Sequence, residues 1–199
     1  MASPQTIQPA TADTYLRSDQ ADTNYSASTQ LVVCSFSASA KRSLISFDFS
    51  AVVPSGATIT LATLSLYADT GKTGRTISCS RLLRTDWVVA EATWNHYKGT
   101  TDWGTAGAKN TTTDISTTDV ATADSVASSN WLVLTVTAQI QTARDSIGGI
   151  AHFCVADEGD SDTAAQNFAS SEATTASYRP KLYIEYTVPS TFIPKCVFF

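Results

Sequence analysis

A two-residue hydrophobic period recurs along most of this chain, and it constrains the fold more than any other feature. Ile45, Phe47 and Phe49 show it, with Ser46 and Asp48 between them. The same alternation recurs in residues 62–67, 131–136 and 182–186. Successive side chains of a β-strand point to opposite faces, so this alternation predicts strands with one face in a hydrophobic core.

Turn-forming residues separate these strands. Pro54-Ser55-Gly56 precedes one strand, residues 70–74 follow it, and Gly148-Gly149 introduces another. Many short strands between such turns are typical of sandwiches and jelly rolls. The chain has 199 residues, of which 43% are hydrophobic and 16% charged, which suits one globular domain. We therefore expect an all-β fold, an antiparallel, jelly-roll-like β-sandwich.

Three segments depart from the simple strand pattern. The alternation slips between Leu61 and Ala62, which a β-bulge or a later strand start would explain. Residues 104–130, rich in Thr, Ser, Ala and Asp, predict a long loop with one edge strand. A helical period of three to four residues joins Val136, Ile140, Ala143 and Ile147. With Gly148 as a stop, it predicts one short helix across an end of the sandwich.

The charge pattern excludes several classes of partner. The formal net charge is −5, and the densest basic groups are Lys41-Arg42 and Arg81 with Arg84. A protein that binds nucleic acid or an anionic membrane needs a larger basic face, so neither partner is expected. No apolar stretch is long enough to span a membrane. Residues 1–11 lack the regions of a signal peptide, so none is expected in this chain.

The cysteines do not have the spacing of a metal or redox site. They are Cys34, Cys79, Cys154 and Cys196, with no Cys-x-x-Cys pair among them. Three lie in apolar, strand-like runs, where a free cysteine behaves as a small hydrophobic residue. We expect buried thiols, and a disulfide between neighbouring strands is the alternative if the protein is secreted.

Catalysis has little support in the sequence. His152 lies in an apolar strand and His96 in a loop, and neither accompanies a nucleophile motif. Asp86, Glu91 and Asp102 lie near one another, but their spacing does not establish two carboxylates facing one sugar. We therefore do not expect an enzyme.

An acidic segment offers one weak candidate metal site. Hard cations prefer several oxygen ligands on a flexible loop. The segment supplies four carboxylates for a possible calcium site: Asp157, Glu158, Asp160 and Asp162. It lacks the EF-hand spacing, and an ordinary solvated acidic turn is the competing interpretation. No other cofactor is expected.

Aromatic residues are the best candidates for binding a ligand. Trp87, Trp94, Tyr97 and Trp103 fall in one short region. Sugar rings present apolar faces that stack on aromatic planes. We take Trp103, Tyr97 and Trp87 as glycan-binding candidates, and Trp103, in a loop before a glycine, as the best surface candidate. Trp94 is expected in the core, and a core role for most of the others is the alternative.

The last residues, 188–199, form an unusual tail. Pro189 and Pro194 disfavour both a helix and a central strand, yet the chain ends in an apolar group. Free termini are usually polar. The candidate residues for docking onto another subunit are Phe192, Ile193, Val197, Phe198 and Phe199. Packing of the tail on its own domain is the alternative.

Several short motifs resemble those of a known family when they are taken together and in order. The motifs are Ala12-Asp13-Thr14-Tyr15-Leu16, Thr23-Asn24-Tyr25, Arg42-Ser43-Leu44-Ile45-Ser46-Phe47-Asp48, Glu91-Ala92-Thr93-Trp94-Asn95, Gly107-Ala108 and Arg179-Pro180-Lys181-Leu182. Over about residues 12–187 the chain resembles the DNRLRE domain, a β-sandwich of secreted prokaryotic proteins and some phage proteins. The family often has Arg directly before Glu172, where this chain has Ser171.

The resemblance implies a division of the chain and two functions. Residues 1–11 would be an N-terminal arm, residues 12–187 the sandwich and residues 188–199 the tail. The family's polar positions, Asp13, Asn24, Arg42 and Glu172, would connect loops and strand ends rather than bind a ligand.

The first function is a non-catalytic structural or attachment protein of an extracellular assembly, such as a virion surface protein, with other protein subunits as partners. The alternative is a carbohydrate-binding module of a secreted or cell-surface protein, with a polysaccharide as its partner. Either function places the protein outside the cell or on a virion surface.

Overall fold

A computed structural model describes residues 3–159 and 163–189 of the chain, which form thirteen strands and one α-helix. The strands are β1 (Gln5–Ile7), β2 (Ala12–Arg17), β3 (Gln30–Val33), β4 (Lys41–Asp48), β5 (Thr58–Thr70), β6 (Thr76–Arg81), β7 (His96–Lys98), β8 (Thr101–Asp102), β9 (Ala121–Asp124), β10 (Asn130–Thr135), β11 (Ile150–Asp157), β12 (Gln166–Ala169) and β13 (Lys181–Thr187). The helix α1 (Thr137–Ser146) follows β10.

Two antiparallel sheets form the sandwich. Sheet A has the order β1-β13-β5-β12-β3, and β10 pairs with the other side of β5. Sheet B has the order β2-β4-β11-β6-β9, and β7 and β8 form a separate short hairpin. The expected all-β fold, an antiparallel β-sandwich, is confirmed.

The main core lies between the two sheets and is built from the inward phase of the alternating strands. Leu132 and Leu134 of β10 and Leu64 and Leu66 of β5 are almost fully buried in it. Sheet B contributes large side chains to the same cluster, including Phe47. The two-residue period therefore has its expected cause, since each strand of sheet A turns one face to this core.

The outer faces of the two sheets differ. Strands β10 and β13 alternate between buried and more exposed residues, whereas β4 and β11 are buried at nearly every position. Residues 83–118, here called the covering segment, account for the difference. They pack a second hydrophobic cluster onto the outer face of sheet B, with Leu44 and Cys154 from the sheet beneath it. The outer face of sheet A has no such cover among the described residues.

Local sequence signals are confirmed in three places. Helix α1 begins one residue after Val136 and ends just before Gly148, which has a φ of +71°. The pairing of β13 with β5 shifts between Glu185 and Tyr186, a bulge that turns both Thr60 and Leu61 outward and explains the phase slip. Strand β9, within the predicted long loop, is the outermost strand of sheet B.

The N-terminal region is part of the sandwich. Gln5–Ile7, predicted as part of an arm, pairs with β13 and so belongs to sheet A. Cys34, Cys79 and Cys154 are buried, and Cys79 and Cys154 are free thiols. Cys196 and the five apolar residues of the predicted docking tail lie outside the described residues. No helix in the described ranges is long and apolar enough to cross a membrane.

Buried polar side chains connect the sheets to the loops. The amide Nδ2 of Asn24 donates to the carbonyls of Val89 and Ala92 at 2.8 and 2.7 Å. Asp13, on β2, accepts hydrogen bonds from the backbone N–H and the hydroxyl of Ser171 at 2.8 and 2.9 Å. Burial raises the pKa of Asp13 to about 6, although both Ser171 hydrogen bonds oppose the shift.

The raised pKa of Asp13 predicts a pH-dependent stability. The folded chain holds the Asp13 proton more tightly than the unfolded chain, so protonation of Asp13 stabilises the fold. This contribution to the free energy of unfolding is fully present below about pH 4 and is lost as pH rises through about 6. The shift corresponds to roughly 2–3 kcal/mol. We expect Asp13→Asn to remove this loss, measured as the free energy of unfolding in urea between pH 4 and 7. Parallel pH profiles for the two proteins would contradict the prediction.

Adjacent residues of β10 should respond very differently to truncation. Leu134 is fully buried in the main core, whereas the side chain of Val133 is 49% exposed on the outer face. We expect Leu134→Ala to lower the free energy of unfolding by about 2–5 kcal/mol, and Val133→Ala to change it by about 0.5 kcal/mol or less. Urea denaturation measures both, and similar losses would show that β10 is not oriented as described.

Candidate functional site

The three sequence-predicted aromatic residues lie together in the covering segment, but they are buried. Trp87, Tyr97 and Trp103 are at most 8% exposed. The rings of Tyr97 and Trp103 lie 5.5 Å apart, and the indole N–H of Trp103 donates to the carbonyl of Thr93 at 2.9 Å. The expectation that Trp103 lies on the surface is wrong, because its ring helps the covering segment to pack on sheet B. A role of the three in binding a glycan stays a prediction.

The histidine beneath these rings has a structural partner. The indole N–H of Trp87 donates to Nδ1 of His152 at 3.1 Å. Burial lowers the pKa of His152 and so favours the neutral ring that this hydrogen bond requires. The pair joins the covering segment to β11.

A pocket of about 330 Å³ opens beside Trp103, but its polar groups pair with one another. Nδ1 of His96 lies 2.7 Å from a carboxylate oxygen of Asp102. The amide of Asn95 donates to Asp22 at 2.7 Å, and Nε2 of His96 lies 3.7 Å from the same carboxylate. Ligand groups would have to compete with these contacts.

The predicted calcium site is only partly described. Asp157 forms a buried ion pair with Arg75 at 2.7 Å, and Glu158 accepts a hydrogen bond from the hydroxyl of Ser78 at 2.5 Å. Asp160 and Asp162 lie outside the described residues. In residues 3–159 and 163–189, no group of three or more His, Cys, Asp or Glu side chains could hold a metal ion. The calcium site stays a prediction.

A second pocket, of about 150 Å³, has a different character. Three basic side chains line it around the indole of Trp94, and we call it the cationic pocket. Its lining residues are Cys34, Ser35, Ala40, Lys41, Arg42, Trp94, Lys109 and Asp157. It lies where the start of β4 and the end of β11 meet the covering segment.

Two local features bring the covering segment to this place. Nη1 of Arg42 donates to the carbonyl of Ala108 at 2.9 Å, which fixes the segment to β4. Gly107 lies against Trp94 with a φ of +82°, and a Cβ at this position would be 2.7 Å from the indole. The glycine therefore lets the chain pass close to the ring and places Lys109 over it, with Nζ 4.7 Å from the ring centroid.

Among residues 3–159 and 163–189, the cations of the cationic pocket form no ion pairs with acids. Asp157, the one acidic residue in its lining, is already paired with Arg75. Within the described part of the chain, no ion pair involves Lys41, Arg42 or Lys109. Lys41 instead donates to the carbonyl of Ser39 at 3.1 Å.

The pKa of Lys109 reflects this imbalance. Burial lowers it, and the positive charge of Arg42 lowers it further. Like charges are thus held together without an ion pair to any acid in the described part of the chain. Such an arrangement can bind an anionic group, because the anion would relieve the repulsion and would be attracted by all three cations.

Sequence reasoning found only part of this pocket. Lys41-Arg42 stood out as one of the densest basic pairs, and Arg42, Trp94 and Gly107 lie in the motifs. Arg42 does connect a strand to a loop, as expected. Lys109 was missed, since it is an isolated cation in a polar segment. The glycine two residues before it, at a position that must pass Trp94, was the available signal.

Comparison with known proteins gives one match. The model of carbohydrate-binding module family 96 matches residues 4–186, which include both pockets. No curated protein matches the chain. The match favours the carbohydrate-binding alternative over the assembly function, and it gives no support to a virion role. The finer identification with the DNRLRE domain stays a prediction.

The burial of Trp103 predicts a structural effect of its removal. Trp103→Ala should lower the free energy of unfolding by about 3–5 kcal/mol, because it leaves a cavity in the second cluster and removes the hydrogen bond to Thr93. Urea denaturation measures the loss, with His96→Gln, in the same pocket but more exposed, as the control. Unchanged stability of Trp103→Ala would contradict the burial described above.

Proposed function

We propose that this chain, which belongs to carbohydrate-binding module family 96, is a non-catalytic polysaccharide-binding module whose cationic pocket holds an acidic group of the glycan. Family membership supports a glycan as the ligand. The observation that carries the choice of an acidic glycan is the set of three cations around Trp94 that form no ion pair with any described residue. It stands out in a chain with a formal net charge of −5.

The residues of the pocket suit a carboxylate or a sulfate ester. Arg42 uses Nη1 for the carbonyl of Ala108. Its Nε and Nη2 groups have no hydrogen-bond partner among the described residues. A guanidinium can bind two oxygens of one carboxylate side by side. Lys41 and Lys109 would add charge from other directions, so that Arg42 sets the orientation of the acid and the lysines add attraction.

The size of the pocket limits what enters it. Pockets that enclose a whole drug-sized ligand have about 300–1,000 Å³, so a pocket of about 150 Å³ takes an acidic group and part of a sugar ring. Lys109 already covers one face of Trp94. The pocket therefore recognises charge more than the face of the ring, and the rest of the polysaccharide would lie across the surface outside it.

The pocket beside Trp103 is a poorer site for an acidic sugar than the cationic pocket. The carboxylates of Asp22 and Asp102, beside His96, would repel the acidic group. A binding module acts by holding an attached protein against its polysaccharide. We place it on that basis outside the cell or on a cell surface, with the polysaccharide as its partner.

Removal of one charge tests the proposal. Lys109→Gln should weaken binding of an oligogalacturonate about tenfold or more, because a hydrogen bond or contact to a charged group contributes about 1.5–3 kcal/mol. Lys98→Gln makes the same charge change at a lysine paired with Asp86 and exposed elsewhere, so it should bind like the wild type. Titration calorimetry at low and high salt measures both, and wild-type affinity should fall with salt.

Two results would count against this function. One is the absence of binding by the wild-type chain to both oligogalacturonate and a sulfated oligosaccharide at millimolar concentration. The other is equal affinity of Lys109→Gln and Lys98→Gln. Melting temperatures of the variants show whether a loss of affinity comes from unfolding.

A further inference from the structure

Aromatic side chains also gather on the open outer face of sheet A, on the opposite side of the sandwich from the covering segment. Tyr67 on β5 and Trp131 on β10 are paired in register, and both point outward. Tyr178 lies in the turn before β13 and Lys181 at the start of that strand. We call these four residues the aromatic face.

The rings of the aromatic face form one contact group. Tyr67 and Tyr178 stack in parallel, with centroids 3.8 Å apart and an angle of 7°. Trp131 meets Tyr67 edge-on at 5.4 Å and 70°. Nζ of Lys181 lies 3.8 Å from the centroid of Trp131. The group spans three neighbouring strands, or about 10 Å, since adjacent strands lie about 4.8 Å apart.

A small residue in the central strand makes this arrangement possible. Ser65 of β5 pairs with Val133 on one side and with Lys181 on the other. Its short side chain lets Lys181 reach across β5 to Trp131. Ser65 thus allows a contact between the two strands that flank β5.

Exposed apolar side chains lie both in the aromatic face and elsewhere on the outer face of sheet A. The side chains of Tyr178 and Val133 are 38% and 49% exposed, and Leu61 lies on the same face at 36%. Tyr67 and Trp131 are half-buried. An exposed cluster of large apolar side chains in a monomer marks a binding surface more often than chance exposure does.

The surroundings of the rings favour a sugar over a protein as the occupant. A stable protein interface buries about 800 Å² on each side around a dry, apolar centre. Here a charged group, the ammonium of Lys181, lies directly against the ring of Trp131, so the centre of the group is not dry and apolar. Rings with hydroxyl and charged groups at their edges match a sugar, which has an apolar C–H face and a rim of hydroxyls.

The charge of the aromatic face distinguishes it from the cationic pocket. The positive charge of Lys181 is accompanied by the negative charge of Asp69, an exposed residue two positions after Tyr67 on β5. The face therefore has no positive excess to attract an acidic chain. Its occupant is expected to be an uncharged sugar held by stacking.

We infer that the aromatic face is a second glycan-binding surface, which takes neutral sugar rings, so that one module can hold two polysaccharide chains on opposite sides of the sandwich. The inference rests on the proposed glycan-binding function, but it does not depend on the cationic pocket. The turn at Tyr178, the strand pair β5–β10 and the first residue of β13 supply all of its contacts.

Binding of neutral oligosaccharides tests the inference. Cellohexaose, xylohexaose and mannohexaose are titrated separately by calorimetry and by tryptophan fluorescence, in which Trp131 is the least buried of the four tryptophans. We expect at least one to bind the wild-type chain. Tyr178→Ala and Trp131→Ala should each weaken that binding about two- to tenfold, the range that one aromatic stacking contact contributes. Trp131→Tyr should restore most of the loss, because it keeps a ring at this position.

The control variants separate this inference from the proposed function. Lys109→Gln should bind the neutral hexasaccharide like the wild type, and Tyr178→Ala should bind oligogalacturonate like the wild type. The wild type should also bind both ligands at once, without competition. Tyr178 is exposed in a turn, so its removal leaves the core intact.

Three outcomes would overturn the inference. The first is no binding of any of the three neutral hexasaccharides, and the second is binding that neither aromatic variant weakens. The third is competition between the neutral ligand and oligogalacturonate for one site. In each of these cases the proposed function still holds if Lys109→Gln loses affinity for oligogalacturonate and Lys98→Gln does not.

Discussion

The packing of the covering segment on sheet B is the contact on which the rest of this structure depends. A two-sheet sandwich needs to bury only the inner face of each sheet. Here sheet B is buried on both faces, because residues 83–118 place a second apolar cluster on its outside. That cluster fixes the chain beside β4 and so decides which side chains can surround Trp94. The cluster also contains Trp87 and Trp103, which the sequence predicts as glycan-binding residues.

Sequence patterns predicted the parts of this fold that follow from one local rule. The alternation gave the strands, the phase slip at Leu61 gave the bulge, and the step of three to four residues gave α1. The burial of Trp103 could not be predicted in this way. The residues around Trp103 do not show that their loop packs on a sheet. The sheet does, because the outward residues of its strands, such as Leu44 and Cys154, are apolar. Those outward residues were the signal, because a strand that is apolar on both faces needs a cover on both.

The candidate sites show the same division. Charge density along the chain singled out Lys41-Arg42, but only the fold brings Lys109 to them. On sheet A, the alternation already assigned Tyr67 and Trp131 to the outward phase, and their register pairs them across two strands. Large aromatic residues at outward positions of two such strands were therefore visible in the sequence. Their contact with Tyr178 was not, since it depends on the turn before β13.

The buried cysteines also have a consequence for how the folded chain reacts. Burial raises the pKa of the thiols of Cys79 and Cys154. A buried, protonated thiol is a poor nucleophile, so oxidants and alkylating reagents react with it slowly. The cores of both clusters form without a disulfide among these residues. In the folded protein, Cys79 and Cys154 should therefore stay reduced in the presence of mild oxidants.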